Sequence, residues 1–251
     1  RKRQVLTYRL ENMEGNTFSR LASFTFLFHL LLFFILLSQA SECNNSTINP
    51  PASSNSYQTN KNTNINPNSY SQNTKNNPSP NQIAKNYKAF VFTSCNASTY
   101  PSICYQYLSD YASKIEEDPF KLCNSSLSVV LTQAKKSCSV ISDLLNQKNS
   151  YISGTAAKAL KDCLSNVKSA IGEVKKSLDD MNHLYDSYDK KFQMSTIKTY
   201  VSAAITDHET CFDGLDEEKV DASVRDKVRS SVLNVQRMTS NSLYFINNLK
   251  Y

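Results

Sequence analysis

The sequence predicts an all-α protein: an up-and-down four-helix bundle preceded by an N-terminal helical hairpin pinned by a disulfide. Three observations carry that expectation. Apolar residues recur at steps of three and four along four long stretches after residue 118, the breaks between the stretches are short, and no comparable run alternates with period two. A shorter apolar segment ahead of them is broken once, and two cysteines flank the break.

The chain opens with an address. Residues 21–37 read LASFTFLFHLLLFFILL, without a charge, behind Arg20. Ser38-Gln39-Ala40 then supplies small residues at the −3 and −1 positions of a signal-peptidase site, so a secretory signal peptide with cleavage after Ala40 is expected. The rival reading is a membrane anchor, since this run is at the lower limit for spanning. Met13 stands just upstream of the run and is the expected start, which makes residues 1–12 an upstream extension. No membrane contact is expected of the mature form.

Residues 41–82 are dominated by Asn, Ser, Thr and Pro, with thirteen Asn and only three charges. Such a segment cannot bury enough apolar area to offset the entropy of ordering, so a disordered linker is expected. Its Cys43 has no obvious partner. The folded domain is then residues 83–251, with the hairpin over 83–116 and the bundle over 118–249.

In the hairpin, Phe90, Val91, Ile103 and Leu108 form a short apolar face, and Thr99-Tyr100-Pro101 interrupts it. Cys95 and Cys104 flank that break, so two helical pieces joined by a Cys95–Cys104 bridge are expected. Closing so small a loop is worth roughly 2.5 kcal/mol in the chain-entropy account. A hairpin this size owns no core and must lean on the bundle or on a partner.

The first bundle helix starts at Asp118-Pro119, a cap followed by a proline at the first helical position. Its stripe is Phe120, Cys123, Leu127, Val130, Ala134, Cys138, Ile141 and Leu145. The second stripe runs Leu160, Cys163, Val167, Ala170, Val174, Leu178 and Met181. After a polar break over 186–191, a third helix is expected from Ser195, carrying Ile197, Val201, Ala204, His208 and Cys211, with Gly214 as its stop. The last stripe is Val224, Val228, Val232, Val235, Met238, Phe245 and Leu249.

Cys123 and Cys138 share one predicted helix and are separated by about 22 Å, so they cannot bridge each other. Cys163 and Cys211 lie on inward stripes of successive helices, and a bridge between them is worth roughly 4 kcal/mol. Cys95–Cys104 and Cys163–Cys211 are therefore the expected pairs. Cys123 and Cys138 are read as small buried hydrophobes and Cys43 as an incidental thiol.

Composition excludes several functions. Four glycines leave nothing for a Gly-rich phosphate loop, and three histidines, one inside the apolar leader, are too few for a His-built zinc site. Neither metal nor cofactor is expected. The net charge of +6 divides into +3 over residues 1–40, +1 over 41–82 and +2 over 83–251, so the basic balance is no nucleic-acid footprint. Glu116-Glu117-Asp118 and Glu217-Glu218 are read as helix starts that complement the dipole, not as a catalytic carboxylate pair. Sequons stand at Asn44, Asn45, Asn96 and Asn124, of which Asn96 and Asn124 fall inside the folded part and are the candidate glycan sites.

Several stretches, in order and at matching spacing, resemble one family. These are residues 94–104 (SCNASTYPSIC), 159–163 (ALKDC), 192–195 (FQMS) and 200–214 (YVSAAITDHETCFDG). They look like the plant pectin methylesterase inhibitor and invertase inhibitor family, over essentially residues 83–249. The resemblance implies a four-helix bundle with a protruding helical hairpin and the cysteine pairs first–second and third–fourth, which are the two bridges argued above. It further implies a secreted, cell-wall protein that is no enzyme but an inhibitor. As a monomer in a one-to-one complex, it would cap the pectin-binding cleft of pectin methylesterase with the outer face of bundle helices. The invertase branch instead inserts a Pro-Lys-Phe element into the sucrose site of acid invertase. Here Lys191-Phe192 is present and the proline is not, and Phe-Gln-Met-Ser favours the methylesterase branch. No methylesterase domain follows Tyr251, so a free-standing inhibitor is expected.

Candidate contacts on helices two and three are Lys168, Lys175, Lys198, Thr199 and Ser202, with Asp207 and Glu209 facing a basic rim. Each has a plainer reading. Ser202-Ala203-Ala204 suits close helix packing, Asp207 and Glu209 suit a solvated helix end, and the lysines suit a solvated face. His208, on the inward stripe beside Cys211, is read first as a partly buried histidine and second as a pH sensor. A lipid- or ligand-carrying bundle and a structural wall protein are the other non-enzyme readings. The carrier would need a hollow core, which these Ala, Val and Leu stripes do not suggest.

Overall fold

The computed structural model describes Cys43 and residues 79–146, 154–218 and 220–251. The expected leader, most of the expected linker and the sequons at Asn44 and Asn45 lie outside the described residues. Among the described residues there is no strand, and no helix is long and apolar enough to cross a membrane.

Helix α1 (Pro80–Asn96) starts inside the segment read as linker, because Ser79-Pro80 is a complete start signal. The Ser79 hydroxyl accepts the Gln82 N–H at 3.3 Å, and Pro80 occupies the first turn, where a missing N–H costs nothing. Tyr100 and Pro101 break the chain, and α2 (Pro101–Leu108) returns. Cys95 and Cys104 are bonded, with Cα atoms 5.4 Å apart, and Phe92 meets Tyr105 edge-to-face at 5.4 Å. A 3-10 turn (Ser109–Tyr111) and a short α3 (Ala112–Ile115) follow, a third helical piece not expected from the sequence. The hairpin leans on the bundle: α2 packs on α4 and α7, and α3 packs on α4.

Four long helices make the bundle: α4 (Pro119–Asn146), α5 (Gly154–Asn182), α6 (Lys190–Glu217) and α7 (Ala222–Asn248). Asp118 caps α4, its carboxylate accepting the N–H groups of Phe120 and Lys121 at 2.7 and 3.2 Å. Each helix packs on two neighbours, α4 on α5 and α7, and α6 on α5 and α7. Cys163 early in α5 is bonded to Cys211 late in α6, with Cα atoms 4.2 Å apart, which fixes that pair antiparallel.

The core is built from the stripes read in the sequence. Leu127, Val130, Ile141, Leu160, Val167, Val174, Ile197, Val201, Val232 and Met238 are all buried. Leu144 rather than Leu145 turns inward, and Leu178 and Val224 are only half-buried. Buried hydroxyls thread the apolar layers. Ser177, Thr239 and Ser242 donate to the carbonyl four residues back, and Ser137 donates across the α4–α7 seam to the Ser231 carbonyl at 2.8 Å.

Four expectations need correction. Helix α6 begins at Lys190, not Ser195, because the Asp189 carboxylate accepts the Phe192 N–H at 2.9 Å and caps it there. Gly214 does not stop it. No glycine among the described residues has positive φ, and α6 runs on to Glu217, the Glu218 N–H closing onto the Gly214 carbonyl. Glu217 and Glu218 therefore end a helix rather than start one. Of the three cysteines set aside as unpaired, only Cys123 is a free, buried thiol, and Cys43 and Cys138 are each disulfide-bonded.

Candidate functional site

The register of α5 and α6 divides the candidate contacts among four edges. The seam between these helices is set by residues seven apart on α6, namely Gln193, Tyr200 and Asp207. The Gln193 amide donates to the Asp180 carbonyl, and the Lys176 ammonium sits 5.1 Å from the Tyr200 ring centroid. Lys176 is also 3.5 Å from Glu173. Asp207 is half-buried in this seam, and burial, aided by the neighbouring Glu173 charge, raises its carboxyl above the ordinary range.

Thr199 and Ser202 belong to the outward ridge of α6. Ser195, Thr199, Ser202, Thr206 and Thr210 are all exposed and spaced by four and three residues. Each hydroxyl from Thr199 on donates to the carbonyl of the preceding turn, at 2.9, 2.8, 3.3 and 2.9 Å. Of the Ser202-Ala203-Ala204 run, only Ala204 is in the core, so the close-packing reading applies to it and not to Ser202.

Glu209 lies on the α7 edge, accepting the Gln236 amide at 3.0 Å, and Lys198, three turns earlier, shares that stripe. Lys168 and Lys175 lie on the opposite edge of α5. They continue the stripe of Leu178 and Asn182, which face α4. The structure thus unites Lys198, Thr199, Ser202 and Glu209 along the outward side of α6, where Ser202 and Glu209 are seven residues apart on one stripe, and leaves Asp207 in the seam and Lys168 and Lys175 on the far edge of α5. Glu173, Lys176 and Tyr200 were missed. The three-residue Glu173–Lys176 spacing was a visible pair, but its facing Tyr200 depends on interhelical register, which no local pattern encodes.

Lys191 and Phe192 are exposed on the first turn of α6, with Phe192 71% accessible. His208 is fully buried rather than partly so, and neither ring nitrogen has a hydrogen-bond partner. Burial lowers its pKa to about 4, so the imidazole is neutral. Asn96 is exposed at the end of α1, while Ser98 of its sequon is buried and donates to the Cys95 carbonyl at 2.7 Å. Asn124 is half-buried on α4, and Ser126 of its sequon is buried against the Cys123 carbonyl. Among the described residues no three His, Cys, Asp or Glu side chains gather as metal ligands.

Comparison with known proteins gives this arrangement a family. A family profile described as "Plant invertase/pectin methylesterase inhibitor" matches residues 89–245. The chain is 37% identical over 161 residues to the "21 kDa protein" of Daucus carota, covering 63% of this chain and 82% of that one. It is 34% identical over 155 residues to "Pectinesterase inhibitor 4" of Arabidopsis thaliana, covering 61% and 77%. A crystal structure of a mutant form of a pectin methylesterase inhibitor from Arabidopsis aligns with a TM-score of 0.49 at 18% identity, over 63% of this chain and 95% of that one. With the profile spanning hairpin and bundle alike, the chain belongs to the plant invertase/pectin methylesterase inhibitor family.

Proposed function

We propose that this protein inhibits pectin methylesterase by forming a one-to-one complex that covers the enzyme's pectin-binding cleft. The observation that carries the reading is the family match across residues 89–245, together with relatives named as pectinesterase inhibitors. The α5–α6 seam and the outward ridge of α6 are the proposed contact face. Lys198, Thr199, Ser202 and Glu209 lie along the ridge, Asp207 lies in the seam, and Lys168 and Lys175 stand on the far edge of α5. Inhibition is steric and needs no chemistry from the inhibitor. The ridge suits this role because its hydroxyls are already tied to the helix and have little side-chain entropy left to lose on docking.

The same reading places the protein in the cell wall, delivered by the apolar leader over residues 21–37 and cleaved after Ala40. Glycans at Asn96 and Asn124 belong to this secreted form.

A second reading, inhibition of acid invertase, is favoured by one feature: Phe192 stands 71% exposed beside Lys191 at the tip of the bundle. Titrating the full chain against a plant pectin methylesterase and an acid invertase separates the two. Loss of methylesterase activity reaching completion at equal molar amounts, with invertase unaffected, is the expected result. Loss of invertase activity alone moves the site to Lys191 and Phe192, and no effect on either enzyme removes the inhibitor reading for these targets.

A further inference from the structure

The charges of α4 and α5 are unevenly spread. Between residues 119 and 146, α4 carries one acid, Asp143, near its end, while Lys135 and Lys136 stand past its middle. On α5, Lys161, Lys168 and Lys175 are seven residues apart and form one row with a step of about 10 Å. The row runs along the edge that faces α4, since it leads on to Leu178, which shares a cavity wall with Ser125 and Ser128 of α4. The acids of α5 stand elsewhere. Glu173 and Asp180 face α6, Asp162 falls on the stripe of Glu173, and Asp179 lies one turn beyond Lys175, beside His183.

Contacts around the bundle set the level of these groups. Ser137 on α4 donates to Ser231 on α7, Arg229 on α7 pairs with Asp216 on α6, and Cys211 on α6 is bonded to Cys163 on α5. Lys135, half a turn from Ser137, therefore comes level with the stretch of α5 between Lys161 and Lys168. Lys135 and Lys168 are half-buried, their stems lying along the seam with the ammonium groups outward, and Lys136 and Lys161 are exposed. None of these four lysines is in an ion pair among the described residues. Asp143 is two turns from Lys135 and Lys136. Asp118 and the sequon residue Asn124 lie about 16 Å or more from Lys135, toward the other end of α4.

We propose that this strip binds a linear polyuronate, the carboxylate-bearing form of pectin, along the α4–α5 seam. Unpaired like charges on one strip repel one another, and a polyanion laid along them removes that cost. The cations follow a line and do not converge on a pocket, so a chain meets several of them at once where a compact anion meets one. Each ammonium takes a carboxylate in a charge-assisted contact. The choice of a uronate over another polyanion rests on the methylesterase reading, since that reaction leaves carboxylates on the polymer. The strip is off α6, so an inhibitor held to the polymer here keeps its ridge free for the enzyme.

The test takes the full chain and offers it long galacturonate oligomers, fully methylesterified pectin, and vesicles containing phosphatidylserine. Calorimetry and amide chemical-shift changes are expected to give saturable oligomer binding, with shifts gathered at residues 128–142 and 161–175. Affinity falls about tenfold or more between about 50 and 200 mM salt, and methylesterified pectin binds at least about tenfold more weakly. Lys135→Glu with Lys161→Glu weakens oligomer binding at least about tenfold, while Lys135→Arg with Lys161→Arg retains it, and both variants unfold like the wild type. Equal binding of the neutral polymer, salt-independent binding, a charge-reversed variant that binds like the wild type, or no saturable binding each overturns the assignment. Vesicle binding without oligomer binding also overturns it, in favour of a membrane surface. Inhibition assays on highly esterified substrate separate this proposal from the inhibitor reading. A charge-reversed variant that inhibits like the wild type supports a distinct strip, and one that loses inhibition as well overturns it. Oligomer binding with no effect on methylesterase or invertase supports the strip and removes the inhibitor reading.

Discussion

Asn241 on α7 accepts the Tyr100 N–H at 2.8 Å and donates to the Tyr100 carbonyl at 3.0 Å, so one buried side chain satisfies both backbone groups at the hairpin's break. Tyr100 is non-helical, with φ −130° and ψ 78°, and its N–H has no helical acceptor. The Arg237 guanidinium, one turn earlier on α7, lies 5.6 Å from the Tyr100 ring. Replacing Asn241 by Ala removes two hydrogen bonds and leaves the Tyr100 N–H without its acceptor, while the Tyr100 carbonyl still accepts the Cys104 N–H at 3.0 Å. A loss of about 1–3 kcal/mol in denaturant unfolding is expected, with faster amide exchange over residues 97–104. A loss below about 0.5 kcal/mol would mean the hairpin is held by its packing alone.

His208 sets a pH dependence whose sign can be worked out. Its folded pKa, about 4, is below the ordinary 6.5, so the unfolded chain binds the proton first as pH falls. The full stability is present above pH 6.5 and is lost between 6.5 and about 4. The difference between pH 7 and pH 5 is about 2 kcal/mol. Asp207 and Asp180 are shifted upward, chiefly by burial, and act in the opposite sense as pH falls, so the His208 contribution is read as the difference between wild type and variant below pH 6.5. His208→Leu removes two unpartnered buried nitrogens and flattens the profile there. A variant that keeps the wild-type slope would transfer the effect to another group.

Burial pushes the Cys123 thiol up to about 12, so almost no thiolate exists at neutral pH. With Cys43 and Cys138 disulfide-bonded as well as the two helical pairs, the unreduced chain holds one titratable thiol. A thiol reagent should find none in the native protein and one per chain in denaturant without reductant. Three in denaturant would show Cys43 and Cys138 to be reduced.

Gly214 sits inside α6 with ordinary helical geometry, and a methyl group added there meets nothing within 4 Å. Gly214→Ala should therefore stabilise the protein, by about 0.5–1 kcal/mol, since it lowers backbone entropy in the unfolded chain without strain. Thermal or denaturant unfolding measures it. Destabilisation would restore the capping role that the sequence alone suggested.

Gly214 also marks where local reading of this sequence stops. A glycine after an apolar stripe looks like a helix end, yet Leu215 is buried one residue later and its packing carries α6 onward. The stripes themselves were legible because burial on one face leaves a 3.6-residue period, and Asp118-Pro119 was legible because capping is local. The Asn241–Tyr100 contact spans 141 residues and leaves no such trace. The candidate face was partly legible: exposure of Thr199 and Ser202 follows from their position opposite Ile197, Val201 and Ala204. That Glu209 turns to Gln236 while Asp207 turns to Glu173 depends on which helix lies on which side, and period alone does not contain handedness of packing.

The outward ridge of α6 yields the sharpest functional prediction. Ser202 is exposed at the centre of a row of hydroxyls that donate to their own helix, and no other element packs on it. Ser202→Glu keeps a good helix former at a solvated position, so unfolding stability should change by no more than about 0.5 kcal/mol. A longer, charged side chain there holds a docked surface away and must be desolvated on contact, so the concentration needed to inhibit pectin methylesterase should rise at least about tenfold. Lys227→Glu, on the exposed side of α7, reverses a charge of similar size away from this face and should leave inhibition unchanged. If Ser202→Glu inhibits as well as the wild type while Lys227→Glu does not, the docking face lies on α7, and the assignment to the α5–α6 side is wrong.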